Sequence, residues 1–361
     1  MTIEIDAIRE SDFADTKIGK KNGLDWYQCP IDRKVLLQLM EKNDWRPFID
    51  NISQLIFSLI TGLFALWAFH NLSWPWIVAA VYFHCSFYGF FGSGTGGHEL
   101  SHKTMFKTPE LNEIFIRING FLSWFNYIYF RCSHVKHHQF TAHDDLDMEV
   151  ILPQKLKWYH WVFAFTINFQ AAYVTLKRQI RNAFGYRREL ILTTVWEQRI
   201  FPETKPDTFK RMVNFSRIMV IGHTVLAILF IVSGNWILLL LVTFPLFIAR
   251  WFVFLTHMPQ HIGMKPDVAD WRHNTRTYLA GPIVCFFYWN MNYHVEHHMY
   301  PAVPYYNLPK LRKAIESDMP IATRGLVSTW RQIFKILKRQ KQDPNYYSEL
   351  LFPNRSMDSI Q

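Results

Sequence analysis

Four apolar blocks divide the chain. Residues 52–69 (ISQLIFSLITGLFALWAF) carry no charge and are long enough to cross a bilayer as a helix. The short turn at 71–73 separates them from a second block that opens with Trp74-Pro75-Trp76 and runs to 91. Proline suits a first helical turn, and the tryptophans suit a membrane–water interface. A second pair of blocks, 214–232 and 236–254, flanks Ser233-Gly234-Asn235, and Pro245 predicts a kink in the last of them. Two further apolar stretches are interrupted. Residues 111–130 contain Arg117, Asn119, Gly120 and Asn126, and residues 158–176 contain His160, Asn168 and Gln170. The first reads as an interfacial or membrane-embedded helix, the second as an interfacial one. Residues 278–293 are apolar and aromatic. Residues 32–41 place Val35, Leu36, Leu39 and Met40 at helical spacing, as a membrane-surface helix or a plain amphipathic one. The pattern predicts an all-α integral membrane protein: two transmembrane helical hairpins (about four spans), interfacial helices and a cytosolic cap.

Composition sharpens that picture. At 361 residues one large domain is expected, and 50% hydrophobic residues with 31 Phe and 14 Trp exceed what a soluble enzyme needs. The net charge of +10 raises nucleic acid as a partner, but the basic residues flank apolar blocks, which points to a membrane surface and no nucleic acid. Residues 103–211 hold sixteen Lys and Arg, whereas the turns at 71–73 and 233–235 hold none. The positive-inside rule therefore puts that loop in the cytosol. Arg250, near the end of the last span, reads as snorkelling to the same side. The expected organisation is a short exposed cytosolic segment at 1–50, a membrane domain at 51–312 and a cytosolic tail at 313–361. The first fifty residues carry no cleavable signal. Cys29, Cys85, Cys132 and Cys285 are scattered, which argues against iron–sulfur sites, structural zinc and a disulfide scaffold.

The chemistry lies in three histidine clusters: H-E-L-S-H at 98–102, H-V-K-H-H at 134–138 and H-V-E-H-H at 294–298. Residues i, i+3 and i+4 share a helix face, so each cluster can present a comb of imidazoles. They supply His98, His102, His134, His137, His138, His294, His297 and His298, and His257 and His261 stand between the second and third. Imidazole suits iron, copper, zinc and nickel, and so many are too many for one ion, so two metals are expected. Surface histidines with no shared site are the bland alternative. The run 89–97 (GFFGSGTGG) leads into His98, for tight helix packing or for close backbone approach to the metals.

The boxes H-x-x-x-H, H-x-x-H-H and H-x-x-H-H among apolar hairpins resemble the membrane fatty acid desaturase and hydroxylase superfamily. The resemblance runs from about 50 to 312. It includes H-H-M-Y-P-x-V-P-x-x-x-L-P (297–309) and Asp25-Trp26-Tyr27, which are similar to bacterial members. It implies two non-haem irons (Fe2+/Fe3+), O2 as co-substrate, two external electrons, and hydrogen abstraction from a fatty-acyl or lipid-like chain. A double bond or an alcohol results. The resemblance implies ligands at His98, His102, His134, His137, His138, His294, His297 and His298. His261, in Q-H-I-G, matches the family's ninth ligand. His257 is then a further ligand or a group just outside the ligands. Other expected supports are His143, Asp144, Asp145, Asp147, Glu99, Glu296 and Asn290, each weighed against a solvated surface group. His70, His84, His160, His223 and His273 read as structural. The first box has Glu99 where many acyl desaturases have Asp, as in alkane-type hydroxylases, while the second box is closer to desaturases. H-E-x-x-H is also the zincin pattern, so a membrane zinc metalloprotease using His98, Glu99 and His102 is the rival from another class. The aromatic runs 87–91, 121–125, 251–254 and 286–289 are candidates for a substrate tunnel or for ordinary packing. With no haem loop, cysteine ligand set or nucleotide fold, electrons are expected from a ferredoxin or b-type cytochrome with its reductase. Lys177, Arg178, Arg181, Arg187 and Arg188 form a basic patch for that donor or for lipid headgroups.

Overall fold

The computed structural model describes residues 24–92, 94–186, 194–202 and 204–353. Asp32 caps the first helix, α1 (Arg33–Leu39), by accepting from the amides of Lys34 and Val35. The segment before it is not a loose arm: Trp26 and Cys29 are buried in the main core. The expectation of an exposed segment fails there because an indole and a thiol find an apolar seat between residues far along the chain.

Among the described residues, two helices are long and apolar enough to cross a membrane: α2 (Trp45–Asn71) and, later, Pro206–Val232. At 27 residues each spans about 40 Å. Each turns an apolar row outward: Ile56, Leu59, Ile60, Leu63, Phe64 and Trp67 on the first, and Ile218, Ile221, Val225, Ile228 and Leu229 on the second. Water would penalise such rows, and lipid does not. The buried side of α2 carries Asn51, Gln54 and Thr61 instead. Its antiparallel partner α3 (Trp74–Tyr88) has 15 residues, ending short of the expected 91 where the glycine run turns the chain.

That run delivers α4 (Gly96–Ser101), which carries the first box. A Cβ on Gly96 would collide with Asn119 and one on Gly97 with Phe125, so the small residues serve close packing. The stretch 111–130 is two helices, α5 (Pro109–Leu122) and α6 (Tyr127–Phe140), broken where Trp124 takes a left-handed backbone (φ 51°). Asn126 caps α6 through the amides of Ile128 and Tyr129. The stretch 158–176 is likewise two helices, α7 (Trp158–Phe165) and α8 (Phe169–Ala183). After α9 (Thr194–Ile200) comes the second long helix, α10 (Pro206–Val232).

The block at 236–254 is not one helix. Leu239–Thr243 winds as a π-turn, Pro245–Phe247 as a 3-10 turn, and Ala249 is left-handed (φ 50°) before α11 (Trp251–His257). Pro245 has no N–H to donate, and the freed backbone pairs with the α7–α8 break instead. The Asn168 amide donates to the Phe247 carbonyl, and the Ala249 amide to the Thr166 carbonyl, both at 2.8 Å. Two breaks thus satisfy each other.

The remainder is short: α12 (Trp271–Asn274), β1 (Tyr278–Leu279), α13 (Pro282–Tyr288), α14 (His294–Met299), α15 (Leu308–Ala314), β2 (Thr323–Arg324) and α16 (Leu326–Gln340). β1 and β2 pair in parallel, Tyr278 with Thr323 and Leu279 with Arg324. α16 packs Trp330 and Ile333 on Ile262. The residues expected as a tail are therefore tied into the folded body.

Candidate metal centre

Four elements bring the imidazoles together. α4 carries His98 and ends at His102, α6 carries the second box, α14 the third, and the turn after α11 carries His261. The nine residues sort into two groups, all buried except the half-buried His102. His98, His102, His134, His138 and His297 form one, and His137, His261, His294 and His298 form the other. Helix geometry accounts for the division. In each H-x-x-H-H box the first and last histidines lie on one line of the helix and the middle one is turned away. Box two gives its i and i+4 members to the five-histidine group and its i+3 member to the four-histidine group. Box three does the reverse. The groups abut, with His138 stacked on His298 at 4.1 Å between ring centroids.

The ring nitrogens show what the groups suit. His134 donates Nδ1–H to Glu149 at 2.8 Å, His137 to Asp147 at 2.7 Å and His261 to the Asn274 carbonyl at 3.0 Å. The Nδ1 of His298 lies 3.1 Å from the Thr141 hydroxyl and that of His294 lies 3.0 Å from the Gln260 amide. A proton held on Nδ1 leaves Nε2 with a bare lone pair. Yet the His134 Nε2 faces three others, those of His98, His102 and His138, at 3.1, 3.2 and 3.0 Å. The Nε2 atoms of His261 and His298 both face that of His294 at 3.1 Å. Where the outer nitrogen donates, as in His134, His137, His261 and His298, the inner one carries a lone pair, and lone pairs packed this closely repel unless a proton or a cation sits between them. A cation between them removes the conflict, because nitrogens at right angles around an ion, each about 2.1 Å from it, sit about 3 Å apart. Burial pushes His98, His102, His138, His294, His297 and His298 well below the ordinary imidazole range and His261 to about 3. They are thus kept neutral, the form that ligates. The donor set fits a resident metal pair.

The expected supports divide. Asp147 and Glu99 reach imidazoles. Glu99 lies 3.3 Å from the His297 Nδ1 but off its line, so neither atom gains a hydrogen bond. Burial pushes Glu99 up to about 8. The five others do not reach the groups. Asp144 is exposed, and its amide donates to Asp267. The Asn290 amide donates to the Tyr305 carbonyl. His143 turns to the Thr141 carbonyl and the edge of Trp26. Glu296 takes Thr277 and Arg312. Asp145, also left-handed (φ 60°), gives its carbonyl to Arg199. His257 belongs to neither group, and its Nδ1 lies 3.4 Å from the Tyr288 hydroxyl. Sequence reasoning missed Glu149, Gln260, Thr141 and the Asn274 carbonyl. Gln260, beside His261, and Thr141, three residues after the second box, stood near recognised motifs. The other histidines bind structure: His84 bridges Thr61 and the Leu241 carbonyl, and His223 lies between Phe121 and Trp124. His70 meets Asn235, His160 caps α7 and His273 faces Asp270.

A cavity of about 470 Å³ opens beside His257. Leu156, Phe163, Val253, Phe254 and Met258 give it an apolar wall, with Arg250 at its edge. Of the four aromatic runs, only 251–254 contributes to it. Phe87, Phe90, Phe252 and Phe287 pack on one another instead. The basic patch is dispersed where it is described: Lys177 meets Tyr173 and Arg178 lies over Tyr129, while Arg187 and Arg188 fall outside the described residues.

Comparison with known proteins agrees with this geometry. A family model described as "Fatty acid desaturase" matches residues 72–330. The "Sphingolipid delta(4)-desaturase DES1-like" protein of Arabidopsis thaliana is 27% identical over 242 residues, 65% of this chain and 62% of that one. Two Mus musculus proteins, N-acetyltransferase family 8 members 3 and 7, are 34% and 33% identical over 92 residues, 25% of this chain and 39% of theirs. The chain thus spans less than two thirds of each of these relatives. The family match, by contrast, encloses all three histidine boxes and His261, and on that extent this chain belongs to the fatty acid desaturase family.

Proposed function

We propose that the protein is an integral membrane oxidoreductase that uses O2 and two external electrons to desaturate a fatty-acyl or lipid-like chain. The observation that carries this reading is the convergence of nine imidazoles, eight buried and His102 half-buried, in two abutting groups with inward Nε2 atoms. His98, His102, His134, His138 and His297 would hold one iron, and His137, His261, His294 and His298 the other. When bound, such a pair supplies O2 activation and hydrogen abstraction from an unactivated C–H bond. The chain's own residues do the rest. Asp147, Glu149, Thr141 and the Asn274 carbonyl hold Nδ1 protons, which fixes the tautomer and aims each Nε2. Phe130, stacked on His134 at 4.6 Å, keeps water from the five-histidine side. The apolar wall beside His257 receives an alkyl chain.

The likeness to a sphingolipid desaturase of Arabidopsis favours desaturation of a lipid. Hydroxylation by the same centre is the second reading, favoured by Glu99 in the first box. The zinc protease reading needs Glu99 to meet water as a base, whereas its carboxylate is buried against His297. We place the protein as multi-pass with the histidine groups facing the cytosol. The charge bias of 103–211 and the outward apolar rows of α2 and α10 support that, with α3 and the broken segment 236–257 as the shorter partners of the two long helices.

The test is lipid mass spectrometry on cells expressing the protein or its His297→Ala variant. A lipid that loses two hydrogens only with the intact protein supports desaturation, and one that gains an oxygen supports hydroxylation. Identical lipidomes, with both proteins folded in the membrane, would refute the proposal.

A further inference from the structure

The proposed reaction needs two electrons, and the four-histidine group has a built connection to the surface. Trp271 is fully buried and donates its indole N–H to the Thr141 hydroxyl oxygen at 3.2 Å. The same oxygen lies 3.1 Å from the His298 Nδ1, and its own proton goes to the His137 carbonyl at 2.8 Å. One hydroxyl thus serves two acceptor contacts and one donor contact, its full capacity. It joins an indole to two imidazole-bearing residues of one group. On its other face Trp271 stacks flat on Trp26, 4.3 Å between centroids and 8° between planes. Trp26 is held edge-on by His143 and donates to the Gln139 carbonyl. Its neighbour Tyr27 is exposed, lies under the Arg272 guanidinium at 3.8 Å, and bonds Asp318. A continuous series of Tyr27, Trp26, Trp271, Thr141 and His298 therefore leads from solvent to the group. The five-histidine group has no counterpart in its stacked neighbour, since Phe130 is a benzene ring, which holds its electrons far more tightly than indole does.

We propose that Trp26 and Trp271 are the route by which a one-electron protein donor reduces the metal centre, entering at Tyr27 and leaving through Thr141 and His298. This rests on the oxidoreductase reading above. Each pass oxidises the donor by one electron, reduces the centre by one, and leaves both indoles unchanged. Two passes with two protons, and the two hydrogens taken from the substrate, convert one O2 to two waters. Within residues 24–31 it is Trp26 and Cys29 that are buried, and the stack on Trp271 is what seats Trp26.

The experiment compares wild type with Trp26→Phe and Trp271→Phe, all in detergent and without oxygen. Three quantities are measured: iron content, the rate of reduction by dithionite, and the rate at which a reduced donor is oxidised. The donor is whichever of a [2Fe–2S] ferredoxin and the soluble domain of a b-type cytochrome reduces wild type faster. Donor binding to the metal-free proteins is measured alongside. We expect iron content, dithionite reduction and donor binding to be unchanged, and donor oxidation to slow several-fold in each variant. Trp26→Phe is the cleaner arm, because it leaves the indole–Thr141 bond intact. Iron-loaded variants that oxidise the donor at the wild-type rate would overturn the route, as would a loss confined to donor binding. A wild type that holds no iron would instead overturn the function reading on which the route rests.

Discussion

The two imidazole groups are built from the same boxes but finished differently. In the four-histidine group every Nδ1 has a partner: Asp147, the Asn274 carbonyl, Gln260 and Thr141. Three of these partners are neutral. The five-histidine group leans on carboxylates, Glu149 and Glu99, and leaves slack: the Nδ1 of His138 and of His297 and one Glu99 oxygen are buried without a hydrogen bond. Unsatisfied buried polar atoms mark places where a structure has room to rearrange. We read the four-histidine group as the rigid half that keeps its geometry, and the five-histidine group as the half that adjusts during turnover.

The largest effect that sharpens this contrast comes from the ligands themselves. His298→Ala and His134→Ala each remove one inward nitrogen, and each should abolish product while lowering metal content, read by elemental analysis of the purified protein. Next come the carboxylates. Losing an acceptor behind a ligand costs on the order of 10–100-fold in metal affinity. Asp147→Asn should sit at the upper end, because it removes the only carboxylate of the rigid group; chelator competition measures it. Glu149→Gln should cost less: its amide oxygen can still accept from His134 while its NH2 meets the Ser133 hydroxyl, whereas both Asp147 oxygens accept backbone N–H groups and an NH2 can replace neither. Gly97→Ala pushes a methyl into Phe125, and overpacking of this kind costs about 1–3 kcal/mol. A thermal scan should show the loss, and metal should leave the five-histidine side first, because His98 is the next residue. Glu99→Gln should be the mildest, as its contact with His297 is already off-line; equal losses for Glu99→Gln and Asp147→Asn would erase the contrast between the halves.

How much of this was legible in the sequence depends on range. Box spacing marked eight of the nine histidines and the helical periodicity behind them, because i, i+3 and i+4 are local relations, while His261 came from the family resemblance of Q-H-I-G. Their division into five and four was not legible there: i, i+3 and i+4 share one broad face, with the middle histidine set about 60° from the first, and the split needed the mutual placement of α6 and α14. The acceptors follow no period, Glu149 on irregular backbone and Asn274 at the end of the one-turn helix α12, so only the fold reveals them. Asp144 and Asn290 sat nearer to boxes in sequence and still point elsewhere. The long apolar helices α2 and α10 were readable from composition. The block at 236–254 was misjudged as one helix because Pro245 looked like a kink, and the backbone pairing that makes it a break comes from residues 166–168. Trp26, read as part of a free segment, owes its burial to Trp271, far along the chain.

The most direct test of the central claim is the metal content of the intact, membrane-extracted protein, iron and zinc measured together. The two-group account predicts two irons per chain, both groups filled, with zinc a minor contaminant. One zinc per chain, lost with His102→Ala and retained with His298→Ala, would contradict it, because only the first box would then be a metal site.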